Sequence, residues 1–313
     1  MASAVGARGE ITGTFALRVM VNFMRQEIEQ AIQLLRSEQP DSMEKALALL
    51  QDSVFSFSMR VCQQRQDAED TMQEVLVKSL PYLRKFDSPK ALVVWLYKVA
   101  KNRCLMSRRK SRFAPKHSLS LEELMPDRRE LERFASTGPI NPESLTLRSE
   151  QANRLRDAIQ KLPPDYRIIL VLRDMEGLTD EAVAEITGLR RGTVRVRLHR
   201  ARLFVRKTFS GSERQRPTKH AASPPVPPPV RPRQCKEMFA ELSDYLDEQL
   251  DDTLCEELEA HLGGCEPCQV FLTSLETTIK QLRKMPDETL DRQKATAIRK
   301  QLLSLQSELA ARR

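Results

Sequence analysis

Four residues of this chain have the types and spacing of a metal site. His261, Cys265 and Cys268 follow an H-x3-C-x2-C pattern, and Cys235 lies upstream as a fourth soft donor. Imidazole and thiolates at such short spacing suit a closed tetrahedral zinc site. Four protein ligands leave no position open for a substrate, so the expected metal is structural rather than catalytic. No glutamate stands at H-E-x-x-H or H-x-E spacing, which argues against a metalloenzyme. The competing reading is reduced cysteines without metal.

Helices must bring these donors together. Glu256 to Leu262 has helical character and ends at Gly263-Gly264, leaving His261 on the last turn. Cys265 and Cys268 would open the next helix, where the N-terminal dipole favours thiolate. Cys235, near the start of the preceding helix, can return as the fourth ligand.

A second group of residues suits nucleic acid. Thr179 to Lys207 has helix-turn-helix form, with Thr179 as a cap and Gly188 at the turn. Val194, Leu198, Ala201 and Val205 make an apolar stripe on the second helix. Arg195, Arg197, Arg200 and Arg202 flank the stripe, and Val196 lies opposite. Arginines there can pair with guanine or grip phosphates, and an apolar side chain can touch a thymine methyl. An ordinary amphipathic helix with a solvated basic face is the alternative.

Charge separates the two groups. The chain has 313 residues and a net charge of +8, which makes an anionic partner plausible. Residues 235–268 hold eleven acids against the single Lys236, a local net of −10, so the remainder carries +18. An acidic module tethered to a basic one is a candidate for intramolecular docking. Aromatics at 5% and charged residues at 30% favour small helical domains over a large sandwich or barrel. No secretory signal or membrane-length apolar run is evident, so no membrane partner and a cytoplasmic location are expected.

Periodicity gives an all-α organisation. Residues 26–113 read as helical, with Asp87-Ser88-Pro89 capping a helix from about Lys90 to Lys110. Residues 114–147 read as a linker. Residues 148–208 form a second helical block, in which Leu155, Ile159 and Leu162 share a face and Pro163-Pro164 restarts the chain. Residues 209–234 are a proline-rich tether reaching between roughly 25 Å and about 75 Å. The acidic module spans 235–284 and a helix-prone tail spans 285–313, while 1–25 are unassigned.

The two basic blocks resemble a known family. The first carries Ala68-Glu69-Asp70-Thr-Met-Gln73-Glu74-Val-Leu, then Trp95-Leu-Tyr97-Lys-Val-Ala-Lys101-Asn102-Arg103-Cys104 and Ser107-Arg108-Arg109-Lys110. The second carries Leu162-Pro-Pro164-Asp-Tyr-Arg, Glu176-Gly-Leu-Thr-Asp-Glu-Ala-Val-Ala-Glu-Ile, Gly192-Thr193-Val194 and Arg197-Leu-His199-Arg200-Ala-Arg202. Residues 26–208 thus resemble extracytoplasmic-function sigma factors, small bacterial members of the sigma-seventy family. The resemblance implies that Asp70, Gln73 and Glu74 face core RNA polymerase. It implies that the Trp95–Lys110 helix engages the minus-ten element of promoter DNA through Asn102, Arg103, Arg108, Arg109 and Lys110. It implies that Thr193, Arg195, Val196, Arg197, Arg200 and Arg202 meet promoter DNA. Trp95 and Tyr97 read as core residues more than as stacking platforms. Met106 stands where many relatives have an acid, and Val196 where a small polar residue is common, which bears on the promoter sequence rather than the class.

The acidic module resembles the zinc-binding anti-sigma family, through Cys235-x25-His261-x3-Cys265-x2-Cys268 and Ser243-Asp-Tyr-Leu-Asp247-Glu-Gln-Leu250. Cys255 departs from that pattern, as a small buried residue or a spare redox thiol. The resulting expectation is a sigma factor, not an enzyme, whose fused zinc module regulates it in cis. The alternative is a DNA-binding regulator that does not act as a polymerase subunit.

Overall fold

The computed structural model describes residues 23–108 other than 38, 40 and 63, and residues 118–126, 145–212 and 233–311. Every regular element among the described residues is helical. The proline-rich stretch and most of the first linker lie outside them.

The first body comprises α1 (Phe23–Arg36), α2 (Ser42–Cys62), α3 (Arg65–Ser79) and α4 (Pro89–Arg108). Ile28, Leu47, Leu50, Val54, Phe57, Met72, Val75 and Leu76 fill its core, as their spacing of three and four predicts. Ser88 caps α4, its hydroxyl accepting from the Ala91 N–H at 3.2 Å. Tyr97 is a core residue, stacked on Phe57 with ring centroids 4.5 Å apart. Trp95 is half-buried at the core's edge, beside Tyr82 and Phe86. Cys62 and Cys104 are joined by a disulfide that ties the end of α2 to α4. Neither belongs to the cysteine cluster singled out in the sequence.

The second body comprises α5 (Leu145–Lys161), α6 (Pro164–Leu170), α7 (Asp180–Thr187) and α8 (Arg191–Ser212). Pro164 sits at the first position of α6, where its missing N–H leaves no bond unmade. Buried Arg167 donates to the carbonyls of Ile159, Gln160 and Leu162, and so caps the end of α5. The helix widens to a π turn over Val171–Met175. Thr179 caps α7 through the Ala182 N–H at 3.4 Å. Gly188 ends α7 at φ +75, a left-handed conformation that glycine adopts without strain. The stripe Val194, Leu198, Ala201 and Val205 is buried.

The C-terminal elements are α9 (Arg233–Leu246), α10 (Asp252–Gly264), α11 (Glu266–Arg283) and α12 (Arg292–Ala311). Asp251 caps α10, accepting from the Leu254 N–H at 3.0 Å, so this helix starts earlier than its apolar pattern suggests. Phe239 of α9 meets Phe271 of α11 edge to face at 4.6 Å. The same cluster takes in Leu203 of α8 and, from the expected linker, Leu124 and Met125. Leu290, Ala295, Ile298 and Leu302, in and just before α12, join the core around α2 and α3.

One charged residue lies at the centre of these contacts. Arg202 of α8 is 0% exposed. Its guanidinium meets Asp174 at 2.6 Å and Asp247, at the end of α9, at 2.9 Å. Removing one partner of a buried pair leaves charge uncompensated and costs roughly 3 kcal/mol or more. Asp174→Ala should therefore lower the protection of the Val194–Val205 amides by about 3 kcal/mol in hydrogen exchange. Glu276→Ala, which breaks an exposed pair with Lys280, should change it by less than about 0.5 kcal/mol.

Candidate nucleic-acid interface and metal cluster

His261, Cys265 and Cys268 converge, their ligand atoms all lying within 4.8 Å of one another. His261 Nε2 is 3.4 Å from Cys268 Sγ, close to the edge of a tetrahedron with metal–ligand bonds of about 2.0–2.3 Å. His261 comes from the last turn of α10, Cys265 from the break between helices and buried Cys268 from the first turn of α11. A soft, compact donor set of this kind fits zinc. Cys235 lies within α9, but its side chain is outside the described residues. Cys255 is half-buried on α10, and burial, with Glu259, Asp252 and Asp251 beside it, pushes its thiol up.

The arginines of α8 do not form one face. Val196 is 51% exposed and Thr193 half-buried. Arg195 donates through Nε to Asp180 at 3.1 Å. Arg197 lies 3.6 Å from Asp165 and over the Tyr166 ring. Arg200 donates to the Leu119 carbonyl at 3.1 Å. Arg202, also expected to meet DNA, is buried in this arrangement. It borders the buried stripe, and its guanidinium faces Asp174 and Asp247 rather than solvent. Burial opposes its charge, but the two carboxylates outweigh that and raise its pKa.

In the first body, Asn102 is exposed and Arg103 half-buried. Arg103 pairs with Glu74 at 2.6 Å, and Glu74 also takes Lys78 at 2.7 Å. One residue expected to face polymerase thus holds one expected to face DNA. Asp70 is exposed and accepts from Gln66 at 3.0 Å, while Gln73 is half-buried. Arg108 ends α4 with its side chain outside the described residues, and Arg109 and Lys110 lie outside them altogether.

Several residues in these contacts had no individual signal in the sequence. Asp180 is buried and held by Arg173 at 2.9 Å as well as by Arg195. Glu176 is buried between bodies, accepting from Tyr97 and from Arg60, each at 2.7 Å. His199 Nδ1 is 2.8 Å from Ser243 Oγ on α9, and its Nε2 is buried without a hydrogen-bond partner. Burial, then Arg202 and Arg200, bring the His199 pKa down to about 4. The Glu176 and His199 contacts join residues far apart in sequence.

Three family models match the chain. "Sigma-70 region 2" matches residues 47–113, "Sigma-70, region 4" residues 152–205 and "Putative zinc-finger" residues 235–269. The last begins at Cys235 and ends one residue past Cys268, so it spans the whole four-donor pattern. The chain is similar to the ECF RNA polymerase sigma factor SigW of Bacillus subtilis, with 26% identity over 59% of this chain and 97% of that protein. It is 33% identical to the ECF RNA polymerase sigma-E factor of Escherichia coli K12, over 44% of this chain and 70% of that one. It is 31% identical to the RNA polymerase sigma-H factor of Pseudomonas aeruginosa, over 51% and 81% of the two chains. No described helix is long and apolar enough to cross a membrane.

The α8–α9 contact should depend on pH. A histidine depressed from 6.5 to about 4 is neutral in the packed state. The packed state is then at full strength above pH 6.5 and weakens as pH falls toward 4. At pH 5 the loss relative to pH 7.5 is about 2 kcal/mol. His199→Gln keeps a polar side chain without titrating there, so its thermal midpoint should fall less than the native one between pH 7.5 and 5.0. Equal drops in the two proteins would sink the assignment.

Proposed function

This chain belongs to the extracytoplasmic-function RNA polymerase sigma factors, and from that premise we propose how its three helical groups divide the work. The first body binds core RNA polymerase through α3 and engages the minus-ten element through the exposed end of α4. The second body presents α8 to promoter duplex, with Arg195, Val196, Arg197 and Arg200 as its DNA-facing residues. The zinc-finger-family module restrains both in cis. Family membership favours a polymerase subunit over a regulator that acts without polymerase. Promoter recognition of this kind is binding, and the protein carries out no bond chemistry of its own.

The observation that carries the cis-regulation reading is the Arg202–Asp247 pair. A carboxylate from the acidic module meets a buried arginine of the DNA-facing helix at 2.9 Å. Ser243 on the same helix meets His199, and Phe271 of α11 lies 3.8 Å beneath the Arg206 guanidinium. The tether between α8 and α9 keeps the module near at roughly millimolar effective concentration, so a weak contact suffices. His261, Cys265 and Cys268, with Cys235 as the fourth donor, would hold a structural zinc that would tie α9 to the α10–α11 corner. The metal supplies cross-linking only. Loss of zinc, oxidation of its thiolates or a competing partner would release the module.

Run-off transcription with core polymerase tests this reading. Deleting residues 211–313 should raise promoter-dependent transcript several-fold, and a zinc chelator should move the full-length protein in the same direction. Unchanged or reduced activity of the truncated protein would rule out autoinhibition. Elemental analysis should find about one zinc per chain, and Cys268→Ser should lose it.

A further inference from the structure

Arg195 and Asp180 form a pair whose geometry goes beyond a general basic surface. Asp180 is the first residue of α7 and Arg195 the fifth of α8, so the pair spans the helix-turn-helix corner. The Asp180 side chain is 3% exposed, and each of its oxygens has an arginine. Oδ1 accepts from Arg173 Nε at 2.9 Å and Oδ2 from Arg195 Nε at 3.1 Å. Arg195 is therefore held by the nitrogen nearest its stem. Its two Nη groups form the far end of the fork, and the side chain is 31% exposed.

That arrangement matches what reading a base requires. A guanidinium pairs with the O6 and N7 of guanine through two parallel N–H groups, and a free arginine must first give up rotamer freedom to do so. A carboxylate behind the Nε removes much of that loss in advance. Recognition helices contact base edges through their N-terminal residues, which is where Arg195 lies. Arg197 and Arg200 lack such a brace, since each is engaged through Nη1 at the fork end, one at 3.6 Å from the exposed Asp165 and the other on a backbone carbonyl.

We infer that Asp180 is a positioning residue that presents Arg195 to a guanine, so that this pair, rather than the arginines as a set, specifies the base read by α8. The inference rests on the proposed reading of α8 as the promoter-duplex helix. It also gives the acidic module a defined target. Gln249 of the module lies close enough to Asp180, and Asp244 of α9 close enough to Arg195, to bear on their electrostatics. The closed protein thus engages the pair that DNA would use.

The test uses the full-length chain assembled with core polymerase and a duplex library randomised over one helical turn, about ten base pairs. Bound sequences are read by sequencing, and binding to the enriched duplex is titrated against salt. The native protein should enrich a guanine at one position. Asp180→Asn should reduce that preference roughly tenfold and leave the salt slope unchanged, because the Arg195 charge remains. Arg195→Ala should abolish the preference, and Asp180→Asn should add nothing in the Arg195→Ala background. If Asp180→Asn does not fold, Arg195→Lys serves instead: it keeps the charge, lacks a braced fork and should lose the guanine preference. Equal loss at every position, or an equal effect of Asp180→Asn with and without Arg195, overturns the positioning role and leaves a packing role. An unchanged guanine preference in Arg195→Ala or Arg195→Lys overturns it too. If the native protein enriches no sequence even after a zinc chelator has released the module, the reading of α8 as a promoter helix falls with it.

Discussion

A guanidinium without access to solvent must have its charge compensated by the protein, and Arg202 imposes that demand on everything around it. Its own body supplies Asp174, and the C-terminal module supplies Asp247. Either carboxylate alone would leave part of the fork unpaired in a low-dielectric setting. Arg173 and Arg283 lie 3.9 Å and 3.7 Å from Asp247, so three guanidinium groups surround the two carboxylates. The burial of Asp174 opposes its ionisation, yet Arg202, Arg283 and Arg173 hold its carboxyl below the usual range. Ion pairs then run without a break from Arg195 through Asp180, Arg173 and Asp247 to Arg202. A change at Arg195 therefore has a physical route to the module.

A second set of contacts joins the two sigma bodies. Arg60 lies between Glu176 and Asp287, and Glu176 also receives the Tyr97 hydroxyl. Glu288, the next residue, pairs with Arg156 of α5 at 3.1 Å. Lys294 pairs with Glu69 and Arg65 donates to the Thr289 carbonyl, both on α3. The segment between α11 and α12 thus touches both bodies. Burial raises the Glu176 carboxyl, with Arg60 and Tyr97 opposing that rise. The module holds α8 and the tail holds α2 and α3, so the closed arrangement has two points of attachment.

Much of the fold was legible because helix formation is local. The three-and-four spacing in α2 and α3, the Ser88 and Thr179 caps and the Gly188 turn need only neighbouring residues, and each is found where it was expected. The convergence of His261, Cys265 and Cys268 was equally legible, since H-x3-C-x2-C places them around one helix corner. What lay beyond the sequence had one source. Arg202 shares the basic helix with Arg195 and Arg197, and composition alone cannot tell a solvated arginine from a buried one. Leu124 and Met125 were read as linker, although Leu203 gives them an apolar surface to pack against.

The sequence by itself determined the class of protein, the helices and their caps, the His/Cys cluster and the charge imbalance between module and body. Each depends on residue type at short separation, where chain geometry leaves few alternatives. Only the tertiary structure decided which charges meet. Asp247 and Arg202 are 45 residues apart, and Gln51 and Ala295 are 244 apart. Contacts at such range depend on how whole helices pack and on which buried charge lacks a partner. That is why an arginine expected to face DNA became the residue that joins the module to the sigma body.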